Sequence, residues 1–141
     1  MTETYSGENI FAKIIRGEIP AHRVFEDADH LVMMDIFPQS RGHSLVIPKA
    51  PSRNLLDAAP DTLASSIRVV QSVANAAKHA LEADGIRIMQ FNEAAAGQTV
   101  FHLHFHVIPI YTGTQVGAHA QLRADDAELA TMADAIRKAM I

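Results

Sequence analysis

From Gly97 to Pro109 the chain reads Gly-Gln-Thr-Val-Phe-His-Leu-His-Phe-His-Val-Ile-Pro, so His102, His104 and His106 alternate with Leu103, Phe105 and Val107. Successive side chains of an extended strand point to opposite faces, and this pattern therefore makes one face imidazole and the other apolar. A helix cannot sort the residues that way. Alternate residues of a strand lie roughly 6.6 to 7 Å apart, near enough for three imidazoles to serve one bound group. A lone histidine beside apolar residues is usually a packing residue. Three in strict alternation, backed by an apolar face and preceded by Gly-Gln-Thr, are hard to explain as packing. Two chemistries use such a row. Histidines at i and i+2 can share a zinc ion through neutral imidazole nitrogens. Alternatively, the middle imidazole attacks an electrophile while its neighbours neutralise charge and manage protons.

The flanking sequence organises itself around that stretch. Asn9 is placed to cap a short helix carrying Ile10, Phe11, Ile14 and Ile15 at helical spacing, with Gly17 ending it. Two β-like runs, His22 to Glu26 and Leu31 to Ile36, are joined by the polar Asp27-Ala28-Asp29 at hairpin spacing, and a loop from Phe37 to Gly42 leads to a strand from His43 to Pro48. Asp61, following Pro60, is the expected N-cap of a long helix whose face is marked by Leu63, Ile67, Val70, Val73, Ala77 and Leu81 before Gly85. A strand from Ile86 to Asn92 then delivers Asn92 to the loop Glu93 to Gly97, where a glycine lets backbone amides approach a phosphate. After a polar loop, Asp125 and Asp126 begin a terminal helix with Leu129, Met132, Ile136 and Met140 along one side and Arg137 and Lys138 near its end.

Composition narrows the function. The chain has 141 residues, enough for one domain with a real core, and 12 Lys and Arg against 16 Asp and Glu give a formal charge of −4. No basic cluster exceeds Arg137-Lys138, so the footprint of a nucleic-acid binder is missing and any nucleotide recognised is a small one. The absence of cysteine excludes disulfides and thiolate metal sites and fits a reducing compartment. The polar, acidic N-terminus is unlike a signal peptide, and no apolar run approaches the ~18 residues of a membrane span. The expected location is the cytoplasm.

Gln98-Thr99-Val100-Phe101-His102-Leu103-His104-Phe105-His106-Val107-Ile108 resembles the signature of the histidine triad superfamily. The segments Asn9 to Pro20, Asp35-Ile36 with Pro38-Gln39, Gly42 to Lys49 and Phe91-Asn92-Glu93 resemble it too, in the same order. The resemblance implies an α+β fold, with a five-stranded antiparallel sheet, a long helix and shorter terminal helices, the sheet continuing across a homodimer. Residues 1–8 are then a flexible tail, 9–112 the domain, and 113–141 a C-terminal loop and helix packed on it. Carried over residue by residue, His104 is the nucleophile, His106 contacts phosphate and stabilises charge, His102 and His43 orient the row, and Gln98 and Thr99 donate hydrogen bonds to phosphate or bridging oxygens. Asp35 accepts from the ribose hydroxyls, as a carboxylate does for vicinal donors. Asn92 sits on the ribose and phosphate side. Ile36, Gly97 and Val100 also border the nucleotide, and Ile10, Phe11, Ile14 and Ile19 wall the base.

The activity so implied is hydrolysis at the α-phosphorus of a purine nucleoside phosphoramidate or related adenylyl substrate. It runs through a covalent nucleotidyl-histidine, releases the nucleoside monophosphate and uses no cofactor. The transferase branch of the family ends its triad in glutamine, whereas His106 fits the hydrolytic branch, and the early Ile-Phe-Ala-Lys-Ile-Ile segment resembles the Hint-type phosphoramidases. Many bacterial relatives hold a structural zinc with cysteines where Asn9 and Ala12 stand, so no metal is expected there. Three alternatives stay open: a dinucleoside polyphosphate hydrolase, a nucleotide-binding scaffold with little turnover, and a metalloprotein built on His102, His104 and His106.

Overall fold

A computed structural model describes residues 4–118 and 122–140; residues 1–3, 119–121 and 141, parts of the expected tail and C-terminal segment, lie outside them. Asn9 Oδ1 accepts the Ala12 N–H at 2.8 Å and starts α1 (Ile10–Ile15), which Gly17 leaves with φ +81°. The chain then forms β1 (Arg23–Glu26) and β2 (His30–Met34). Asp27 closes this hairpin with its own side chain, Oδ1 accepting the N–H groups of Asp29 and His30. β3 (Ser44–Pro48), α2 (Pro60–Ala80), β4 (Gly85–Met89), β5 (Phe105–Ile110) and α3 (Asp126–Ala139) follow. The strands form one five-stranded antiparallel sheet in the order β1-β2-β3-β5-β4.

Period-two alternation divides this sheet into two faces. Val24, Val32, Met34, Val46, Phe105 and Val107 point toward α2 and α3 and join Val73, Ala77, Leu129 and Ile136 in the main core. Leu31, Met33, Leu45 and Ile47 point the other way and pack with Phe11 and Ile14 of α1. Leu45 is paired with His106 across β3 and β5. The histidine face is therefore the α1 face, while Leu103, Phe105 and Val107 lie in the main core, as the alternation requires.

The structure corrects several boundaries. Ala59, not Asp61, occupies the N-cap of α2, and it makes no side-chain bond there. Pro60 takes the first helical position, where its missing N–H costs nothing, and Asp61 lies in the first turn facing the helix dipole. β4 stops at Met89, so Asn92 sits in the coil beyond it. The regular ladder of β5 begins only at Phe105. Upstream of the Val46–Phe105 pair the chain leaves β3, and the Leu103 N–H goes instead to Ser52 O at 2.9 Å. From Tyr5 onward the segment expected as a tail is docked, with the Tyr5 ring edge-on to His102 and Arg16 Nη1 donating to Gly7 O at 2.9 Å.

Candidate active site

The site begins with a glycine. Gly42 has φ +92°, and a Cβ there would lie 2.2 Å from Leu81 Cδ1, so a side chain at this position is both strained and crowded. The turn it permits brings the Gln39 N–H to Nδ1 of His43, a fully buried ring, at 3.0 Å. Because Nδ1 accepts, the neutral ring carries its hydrogen on Nε2. That hydrogen faces His106 Nδ1 at 2.9 Å, with Asp35 Oδ2 at 3.4 Å. His106 Nδ1 is thereby an acceptor, and His106 keeps its own hydrogen on Nε2.

His104 is set in the opposite sense. Its Nδ1 lies 2.6 Å from the His102 carbonyl oxygen, which can only accept, so Nδ1 is protonated and the lone pair is on Nε2. The ring is wedged edge-on between Phe11, with centroids 4.8 Å apart, and His106, at 5.1 Å. His102 itself donates from Nε2 to Pro48 O at 2.7 Å and accepts the Tyr5 hydroxyl at Nδ1, 2.8 Å away. Burial lowers its pKa, only partly opposed by the Pro48 hydrogen bond, and holds the ring neutral.

Two cavities meet at these rings. The larger, about 270 Å³, is walled by Ile10, Phe11, Ile14, Ile19, Met33, Ile36, Leu45 and Val100, and its polar lining is Asp35, Thr99, His104 and His106. The smaller, about 160 Å³, is lined by Gln39, Phe91, Gly97 and Gln98 together with the same Thr99, His104 and His106. Asp35 is buried, and its Oδ1 accepts the Phe37 N–H at 2.8 Å.

Most of the residues read from the sequence are thus brought together, and two are used differently. Gln98 donates both amide hydrogens, to Arg53 O (2.8 Å) and Val100 O (3.0 Å), while its Oε1 accepts from Glu93 N and Asn54 Nδ2. It staples the loop around it rather than offering an N–H to a phosphate. Asn92 lines neither cavity: Oδ1 accepts from Leu55 N and Gln90 Nε2, and Nδ2 donates to Gln90 Oε1. His43 and His102 also stand behind the cavity walls, supporting His106 and His104 respectively.

Sequence reasoning missed Tyr5, Gln39 and the brace of the 93–98 loop. In that brace the Arg53 guanidinium grips both Glu93 carboxylate oxygens, at 2.9 to 3.2 Å, and stacks 4.1 Å over Phe101. The hydrogen bonds from Arg53 and then Asn54 hold the Glu93 carboxyl below the usual range. Met33 and Leu45 were legible in principle, since both fall on the Ile47 face by simple alternation.

Metal binding fits poorly at each place where it might be sought. On the row His102, His104 and His106, both ring nitrogens of His102 are engaged, by Tyr5 and Pro48. Among the described residues these three do not gather their ligand atoms around one point. Asp35, His43 and His106 bring ligand atoms within 4.8 Å of one another, but the Gln39 N–H holds His43 with a hydrogen on Nε2, the nitrogen that would have to ligate. At the N-terminus of α1, Asn9 Oδ1 is engaged with the Ala12 N–H, and Ala12 offers no donor atom.

A small α+β protein of this kind presents ordered imidazoles on the α1 face of an antiparallel sheet, between an apolar and a more polar cavity. The HIT domain family model matches residues 16–113, and the chain belongs to the histidine triad family. It is similar to a Hit-like protein involved in cell-cycle regulation from Bartonella henselae, solved with an unknown ligand, at 52% identity, covering 97% of this chain and 99% of that one with a TM-score of 0.93. It is also similar to the adenylylsulfatase HINT3 of Arabidopsis thaliana, 39% identical over 77% of this chain and 55% of that protein. A histidine triad nucleotide-binding protein from Candida albicans is 34% identical, covering 84% and 87% of the two chains, with a TM-score of 0.70.

Proposed function

We propose that this protein hydrolyses a purine nucleoside phosphoramidate, or a related adenylyl substrate, at its α-phosphorus through a nucleotidyl-His104 intermediate. The observation that carries the reading is the hydrogen bond from His104 Nδ1 to the His102 carbonyl. It puts the lone pair on Nε2 of a ring that lines both cavities. The base occupies the larger, apolar cavity and the ribose hydroxyls meet Asp35. His106 Nε2–H and the Thr99 hydroxyl hydrogen-bond the phosphoryl oxygens as charge builds on them. His104 Nε2 forms a bond to phosphorus, the phosphorus–nitrogen bond breaks, and the leaving nitrogen takes a proton from water. A second water then attacks phosphorus and expels His104, leaving the nucleoside monophosphate and a proton that neutralises the hydroxide formed in the first step.

Among the described residues, no lysine or arginine lines the smaller cavity. The remaining phosphates of a dinucleoside polyphosphate would meet no counter-charge there, which favours a small leaving group. Rapid quench with a radiolabelled adenosine phosphoramidate tests the route. Acid-labile label is expected on the native protein and none on His104→Ala; an unlabelled native protein turning over substrate would refute the covalent step, and purine monophosphate binding without turnover would favour a scaffold.

The working unit is a homodimer in the cytoplasm, with 9–112 as the domain and 113–141 packed against it. The edge strand β4 and its exposed Ile88 support pairing of two copies, and light scattering measures it. No helix among the described residues is long and apolar enough to cross a membrane.

A further inference from the structure

Tyr5 precedes every helix and strand and touches neither cavity, yet its hydroxyl lies 2.8 Å from Nδ1 of His102, which is 97 residues away in the chain. The His102 ring is almost fully buried and its Nε2–H is engaged by Pro48 O, so Nδ1 presents a lone pair that needs a donor, and Tyr5 is the donor that meets it. The same phenol oxygen accepts from Asn9 Nδ2 at 3.2 Å, and Asn9 caps α1 through the Ala12 N–H. Two residues along, Phe11 packs edge-on against His104. The phenol therefore joins both supports of the His104 ring: the His102 carbonyl that takes its Nδ1–H, and the helix that carries Phe11.

We propose that Tyr5 is a positioning residue, which through His102 and Asn9 fixes the orientation of His104. This rests on reading His104 as the nucleophile. Tyr5→Phe keeps the ring and removes only the hydroxyl, leaving the Asn9 cap and the apolar cavity in place. In the full-length protein, kcat for the phosphoramidate should fall about five- to tenfold while KM stays within about twofold, because the ground-state pocket is untouched and the ring's aim is not. Histidine side-chain NMR should show the His102 Nδ1 resonance displaced and its Nε2–H retained. An unchanged kcat, or a loss of kcat matched by a rise in KM, would overturn the proposal.

Should Tyr5→Phe not fold, 3-fluorotyrosine incorporated at both tyrosines keeps the shape and makes the phenol a stronger donor. The His102 Nδ1 resonance should then move, and an unmoved one overturns the proposal. If the native protein turns over neither the phosphoramidate nor another adenylyl substrate, the nucleophile reading fails. The His102 resonance in the variant still decides whether Tyr5 holds the ring, an unmoved signal again overturning it.

Discussion

Three of the four imidazoles in this site have their tautomer set by a backbone group that can only donate or only accept, and His106 takes its own from His43. Gln39 N–H faces His43, and carbonyl oxygens face His102 and His104. Asp35 supplies the carboxyl group in the lining of the larger cavity. Hydrogen bonds contribute about 0.5 to 1.5 kcal/mol each, so losing two of them in Asp35→Ala should raise KM by roughly five- to a hundredfold with a smaller change in kcat. A 2′-deoxy substrate on the native enzyme should reproduce part of that rise in the same steady-state assay. The depressed pKa of buried His102 has a thermodynamic consequence. Below the ordinary histidine pKa of about 6.5 the unfolded chain binds a proton that the folded ring refuses, so the stabilisation is complete above that pH and is lost as pH falls toward the lowered folded value. Urea midpoints should decline between about pH 7 and pH 5, and His102→Gln should flatten that part of the profile.

Secondary elements matter here mainly for where they stop. β5 starts at Phe105, so His102 and His104 lie on a stretch whose backbone groups serve local contacts: His102 O receives the His104 Nδ1–H, and Leu103 N–H goes to Ser52 O. A ladder continued upstream would have engaged the carbonyl that orients His104. At the other side, the turn before β3 depends on Gly42, whose left-handed backbone strains any side chain and where a methyl group would force Leu81 to shift. Gly42→Ala should cost about 1 to 3 kcal/mol of stability, read by chemical denaturation. It should also lower kcat, since the same turn aims the Gln39 N–H at His43.

Across the whole molecule, α3 acts as part of the core. Ile136 is fully buried with residues of the sheet and α2, and the Arg137 guanidinium donates to the carbonyls of Arg23 and Val24 on β1. Ile136→Ala should lower stability by about 2 to 5 kcal/mol in a single transition with an unchanged denaturant slope; two separate transitions would mean that α3 folds apart from the domain. The strands and the division of their faces were legible from alternation and turn residues, which are local, and the grouping of Phe11, Asp35, Thr99, His104 and His106 was implied by the family resemblance. The strand order β1-β2-β3-β5-β4 was not legible, because it depends on pairings between distant segments. Nor were the uses of Gln98, Asn92 and Tyr5. An amide or a phenol reads the same in sequence whether it faces a ligand or a carbonyl, and its partners Arg53, Leu55 and His102 lie 45, 37 and 97 residues away. The sequence by itself determined which side chains share a face, since that follows from the pleat of a strand. Only the tertiary structure decided which nitrogen of each imidazole holds the proton, because that depends on donors and acceptors delivered by distant parts of the chain.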